Sequence, residues 1–182
     1  GGFQAIASMW LDHSKVARSF KTGKGVDWGR HHKLLFEGTE RFFRPGYNAN
    51  LINAWIPALE GVQAKLERGA TVADVGCGHG ASTVLMARSF PKSIFSGFDS
   101  HKPSVATAAR RARAGGVADR ARFKVATAVK FPGKNYDLVA FFDCLHDMSD
   151  PEGAARHVRS VLKSDGTWMI VEPFASDRPE EN

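Results

Sequence analysis

Along the first 66 residues, apolar positions recur at helical spacing and none alternates as in a half-buried strand. Ile6, Met9, Trp10 and Phe20 fit a helix over residues 3–20, and Lys21-Thr22-Gly23-Lys24-Gly25 reads as a loop. Leu34, Leu35, Phe42 and Phe43 fit a second helix over residues 28–43. Pro45-Gly46 predicts its end, and residues 48–66 read as a third helix, kinked near Pro57. From Thr71 the pattern changes to short apolar runs alternating with helix-period segments. It predicts strand 71–75, helix 80–90, strand 94–99, helix 104–115, strands 122–126 and 136–142, helix 152–163 and strand 167–172, with Asp165-Gly166 as the last turn. Such alternation implies right-handed crossovers and a mostly parallel, doubly wound α/β sheet.

The chemistry concentrates where the first strand ends. Val72-Ala73-Asp74-Val75 runs into Gly76-Cys77-Gly78-His79-Gly80, and a helix-period segment follows at once. Strand, glycine-rich turn and helix start together offer a tight turn, close backbone approach to a ligand and free N–H groups. The second strand ends on Asp99, placed to accept hydrogen bonds from ribose hydroxyls; as a bare structural feature, the same residue would cap the next helix. Asp74 can reach a ligand ammonium through water or fix the glycine turn.

Asp74-Val75-Gly76-Cys77-Gly78-His79-Gly80 resembles the first motif of class I S-adenosylmethionine-dependent methyltransferases, and Gly97-Phe98-Asp99 resembles their second. Residues 142–148 and 165–173 are similar to a bacterial subgroup of methyltransferase-domain proteins that often carry an N-terminal winged-helix segment. The resemblance implies a Rossmann-like fold with strand order 3-2-1-4-5 and an S-adenosylmethionine site at the strand tips. It divides the chain into a helical cap or N-terminal extension (1–66) and a methyltransferase core (67–182) that stops short of the family's strands six and seven. The implied cofactor contacts are Asp74, Gly76, Cys77, Gly78, Gly80, Asp99, Ser100, Thr127, Ala128, Phe142 and Asp143. Thr127 and Ala128 stand where relatives meet the adenine, and many of those relatives carry an acid that this chain lacks.

A second constellation follows the fourth strand: Asp143, His146 and Asp147. Methyl transfer needs positioning and exclusion of water, and a hydroxyl acceptor also needs a base. His146, oriented by Asp147 or Asp143, fits that role; equally, His146 and Asp147 fit a loop-ordering role before Pro151. In the leading region, Arg44 fits either a clamp on a cofactor carboxylate or a surface charge, and Glu172 is placed to face a substrate cavity.

Composition adds bounds. The 182 residues are 43% hydrophobic and 24% charged, with net charge +6 from scattered basic residues. That balance fits a generally basic surface rather than a nucleic-acid site, and no basic-aromatic interleaving supports the latter. Cys77 and Cys144 lack metal-ligand spacing, and no metal site is expected; free thiols and the absence of an apolar run near membrane-spanning length predict a cytoplasmic protein. The expected function is methyl transfer to a small-molecule acceptor, with a homodimer plausible from the open sheet edge and helical leader. The alternative is a regulatory or ligand-binding module on the same fold. A nicotinamide oxidoreductase is disfavoured by the glycine spacing and Asp74.

Overall fold

A computed structural model describes residues 1–181. Five parallel strands form one sheet in the order β3-β2-β1-β4-β5. They are β1 (Thr71–Val75), β2 (Ile94–Asp99), β3 (Ala121–Val125), β4 (Tyr136–Phe142) and β5 (Leu162–Val171). The expected class and strand order are therefore present. Both faces are covered, which is why β1 and β4 read as nearly continuous apolar runs. Alternate residues feed two cores. Val72, Leu138 and Ala140 face one side with Phe95, Met86 and Phe90. Ala73, Val75, Val139 and Phe141 face the other with Phe98, Phe131 and Val158. Each fully buried large side chain here contributes about 1.5–3 kcal/mol.

Three helices connect the strands: α4 (Ala81–Ser89), α5 (Lys102–Ala114) and α6 (Pro151–Val161). Their limits follow local chemistry. Gly80, in the left-handed region, launches α4. Asp150 caps α6 by accepting from the Gly153 N–H at 2.8 Å, with Pro151 at the first helical position.

The leading region is helical, but two boundaries differ from expectation. Helix α1 (Gly2–Thr22) ends on left-handed Gly23, and a single 3-10 turn (Trp28–Arg30) precedes α2 (Lys33–Asn50). Pro45-Gly46 does not end α2; the helix runs through it. An interior proline costs about 3 kcal/mol, and anchors on both sides of it hold α2 in place. Phe36 stacks on His101 at 4.1 Å, and the Tyr47 hydroxyl bonds Asp143. The disturbance emerges just downstream as a wide π-turn (Leu51–Trp55), held by fully buried Leu51 and Ile56. The expected third helix is thus shortened to α3 (Val62–Arg68), which starts after left-handed Gly61.

The other difference concerns β5, which begins at Leu162 rather than near 167. The ladder steps from Tyr136↔Leu162 to Leu138↔Thr167, so residues 163–166 bulge out. Asp165-Gly166 bends the strand from within, and Lys65 Nζ holds the bulge by donating to Asp165 at 2.8 Å.

Candidate functional site

The tips of β1, β2, β3 and β4 converge on a cavity of about 910 Å³. Its floor is the glycine turn with Ser100, Thr127, Ala128, Phe142 and Asp143. The 143–150 segment forms one wall. Phe36, Glu40, Phe43 and Tyr47 of α2, with the 24–29 loop, form the roof. The position obeys the rule for open α/β sheets, beyond the strand carboxyl ends.

The glycine turn is built for proximity. At Gly80 (φ +76°) a Cβ would lie 2.8 Å from Ala108 Cβ, so this glycine lets α5 close on the turn. At Gly76 (φ +73°) a Cβ would strike Cys144 Sγ at 2.6 Å, so this one lets β1 and β4 tips meet. The Gly76 and Cys77 N–H groups both donate to Phe98 O, at 2.8 and 3.0 Å. The turn is thereby fixed before anything enters.

Asp74 and Asp99 hold this frame from two sides. Asp74 is 1% exposed and stands behind the cavity wall, as does Gly80. Its Oδ2 accepts from Ser82 and Thr83, each at 2.6 Å, which ties β1 to the start of α4. Its Oδ1 is buried with no partner. Burial drives its pKa up to about 6 against the pull of those two hydroxyls, and the charge of Asp99 adds to the rise. Asp99 lines the cavity and accepts from Gly78 N–H at 2.9 Å and His101 N–H at 2.8 Å. It braces the turn, and its side chain does not cap α5, whose N-cap is His101.

Asp143, His146 and Asp147 all line the cavity. Asp143 adopts a left-handed backbone (φ +51°), fixed by its N–H to Val171 O at 2.8 Å and its carboxylate to the Tyr47 hydroxyl at 2.9 Å. Burial raises the pKa of both Asp143 and Tyr47. Glu172 is not at the cavity surface. It sits beneath the 144–146 turn, where one oxygen accepts from Cys144 and Leu145 N–H at 3.1 and 2.7 Å. The other pairs with His146 Nδ1, and this bond raises the His146 pKa. Asp147 is a looser neighbour, 3.6 Å from His146 Nε2. Among the described residues, no three His, Cys, Asp or Glu side chains converge on a metal-sized site.

Several residues escaped the sequence reading. Tyr47 carried no signal beyond its place beside Pro45-Gly46, and Glu172, expected to face a substrate cavity, instead lies beneath the 144–146 turn. His79, inside the glycine turn, lines the cavity, and burial and then Arg111 lower its pKa. Arg44 does not line the cavity; it lies 3.6 Å from Glu40 on the exposed side of α2. His31 Nδ1 and the His32 N–H both bond the Asp12 carboxylate, outside the cavity. Both cysteines are free.

Comparison with known proteins agrees with this architecture. A family model described as "Methyltransferase domain" matches residues 66–181. The methyltransferase YcgJ of Bacillus subtilis is 32% identical over 110 residues, 59% of this chain and 42% of YcgJ. Its crystal structure superposes with TM-score 0.58 at 30% identity, over 65% of this chain and 50% of that one. Mitomycin 7-O-methyltransferase MmcR superposes with TM-score 0.72 at 16% identity, over 96% of this chain and 52% of its own. The [4+2]-cyclase SpnF superposes with TM-score 0.59 at 26% identity, over 74% of this chain and 48% of that one. The chain therefore spans about half the length of these relatives. With the glycine turn, the strand order and the family match over most of its length, the chain belongs to the class I S-adenosylmethionine-dependent methyltransferases.

Proposed function

We propose that this protein binds S-adenosylmethionine in the strand-tip cavity and transfers its methyl group to a small-molecule hydroxyl acceptor. The observation that carries the reading is the pairing of a preformed glycine turn, braced by Asp99, with a buried, unpartnered Asp74 Oδ1 just behind it. An unsatisfied buried acceptor beside an anionic partner is what a cationic ammonium would relieve. In this reading, Gly76, Cys77 and Gly78 present backbone to the amino-acid end, with Gly80 and Asp74 supporting from behind. Asp99 takes the ribose hydroxyls, and Ser100, Thr127 and Ala128 flank the base. Phe142 and Asp143 close the methyl end. Residues 1–66 act as a helical cap over the core that starts at 67.

When bound, the cofactor supplies an activated methyl on a sulfonium. The chain then has to position the acceptor, exclude water and take a proton. Glu172 fixes the His146 ring through Nδ1, which leaves Nε2 as the proton acceptor. His146 Nε2 would take the acceptor's O–H proton as the methyl leaves the sulfonium for the acceptor oxygen, the broken S–CH3 bond leaving the neutral thioether S-adenosylhomocysteine. Asp147 is too far from Nε2 to hold it firmly, so Glu172 is the orienting residue and Asp147 shapes the wall. Titration with S-adenosylhomocysteine tests the cofactor half, and methyl transfer to a panel of phenols tests the other.

A second reading keeps the fold and the ligand but not the transfer. SpnF, named as a cyclase, is the observation in its favour, because it carries other chemistry on this fold. Ligand binding without methyl transfer to any acceptor would select it.

A further inference from the structure

We infer that the outward face of α1 is an interface for a second copy of this chain, packed antiparallel against the same face. The usual polarity of a surface helix is reversed here. The residues that α1 buries are Ser8 and Asp12, both polar. Asp12 is fully engaged, with Lys15, His31 and the His32 N–H around its carboxylate. The exposed side is apolar instead: Phe3 is 92%, Trp10 79% and Phe20 87% exposed, with Ile6 and Met9 also open. Phe42 of α2, beside Gly2, extends the patch. A helix that hides its polar side and exposes its aromatic side is arranged for a partner.

The spacing names the partner's shape. Phe3, Ile6, Trp10, His13, Ala17 and Phe20 are all exposed and follow one another at alternating steps of three and four. That is the 3.5-residue seam of helix-on-helix packing. An isologous antiparallel pairing about the middle of this seam sets Phe3 against Phe20, Ile6 against Ala17 and Trp10 against His13 of the other copy. Large then meets small at the Ile6–Ala17 step. The positions flanking the seam are Gly2, Ala7, Met9, Ser14, Val16 and Lys21. Antiparallel pairing sets the Ala7, Ser14 and Lys21 flank against the same flank of the other copy, and Lys21, the one charge among these positions, lies at the opposite end of the pair from its counterpart, so self-pairing brings no like charges together. The patch offers roughly 900 Å², taking about 200 Å² per large side chain, which is the area each partner gives to a standard interface.

The test is the solution mass of the whole chain at micromolar concentration, by light scattering or sedimentation equilibrium. A species of twice 19.9 kDa is expected. Trp10→Glu should return it to a monomer, weakening association at least about 100-fold, a typical hot-spot loss. Because Trp10 is exposed, its thermal melt in the dissociated state should be unchanged. The geometry has its own arm. Oxidised Ile6→Cys/Ala17→Cys should form a covalent dimer, while either single variant should not, because equivalent positions lie about 16 Å apart along the axis. A monomeric wild type, or a dimer indifferent to Trp10→Glu, overturns the proposal. A dimer that cross-links through the single variants overturns the antiparallel arrangement.

Discussion

The Tyr47 hydroxyl donates to Oδ2 of Asp143 at 2.9 Å, joining α2 to the tip of β4 across 96 positions of sequence. This one bond links the helical leader to the 143–150 wall of the cavity. It also holds Asp143 in its left-handed backbone beside the cavity. Tyr47→Phe keeps the ring stacking on Phe43 but leaves the carboxylate short of a donor. The expected loss is about 1–2 kcal/mol of stability, read from denaturant unfolding, with a several-fold loss of S-adenosylhomocysteine affinity by titration.

Asp74 predicts a pH signature. Its pKa is raised to about 6, from an ordinary 3.8, by burial first. Between these values the folded protein holds a proton that the unfolded chain has lost. This group therefore reduces stability as pH rises from about 4 to about 6, by up to roughly 3 kcal/mol, and is flat above. Asp74→Asn should remove that slope, measured by unfolding at pH 4 and 7. Ligand binding should run the other way. A cationic ligand favours the ionised carboxylate, so affinity should fall as pH drops below 6 in wild type and not in the variant.

His146 and Glu172 predict a second profile. The Glu172 bond raises the His146 pKa, and a base must be deprotonated to act. Methyl transfer to a hydroxyl acceptor should thus rise with pH through that raised value. Glu172→Gln should move the inflection to lower pH, because the imidazolium loses its anionic partner. His146→Ala should lower the transfer rate by about 10²–10⁴ while leaving S-adenosylhomocysteine affinity within about twofold of wild type, since this role touches the acceptor. Radiolabelled methyl transfer at a series of pH values reads all three.

Gly80 separates space from strain. Alanine there would take a left-handed backbone and crowd Ala108 and Phe123. The expected destabilisation is about 2–4 kcal/mol. Gly78 also has a left-handed φ, +51°, but a Cβ there meets nothing within 4 Å. Gly78→Ala should cost about 1–2 kcal/mol, the strain alone, and paired melts of the two variants check the difference.

Much of the core was legible because each strand is short, apolar and bounded by turn chemistry. β1, β2 and β4 lie where the pattern puts them, since they are short, mostly apolar runs in which Asp74, Ser96 and Asp137 are the few interior polar positions. The leader was harder. A helix through Pro45 depends on anchors at Phe36 and Tyr47, whose partners lie 65 and 96 residues away and leave no local mark. The start of β5 depends on a bulge held by Lys65, and Glu172 acts through a turn that only the fold brings above it. The cavity-lining tips of β1 and β2 were readable from the Gly76–Gly80 turn and the terminal Asp99, whereas the residues that brace them from across the cavity were not.

Calorimetric titration of S-adenosylhomocysteine into wild type and Asp99→Ala, with melts to confirm that both are folded, tests whether the strand-tip cavity holds the cofactor through Asp99. Wild type should bind one-to-one at micromolar concentration, and the variant should lose at least about 2 kcal/mol, some thirtyfold, as expected when hydrogen bonds to a charged group are removed. Folded wild type that does not bind, or a variant that binds as tightly as wild type, would contradict it.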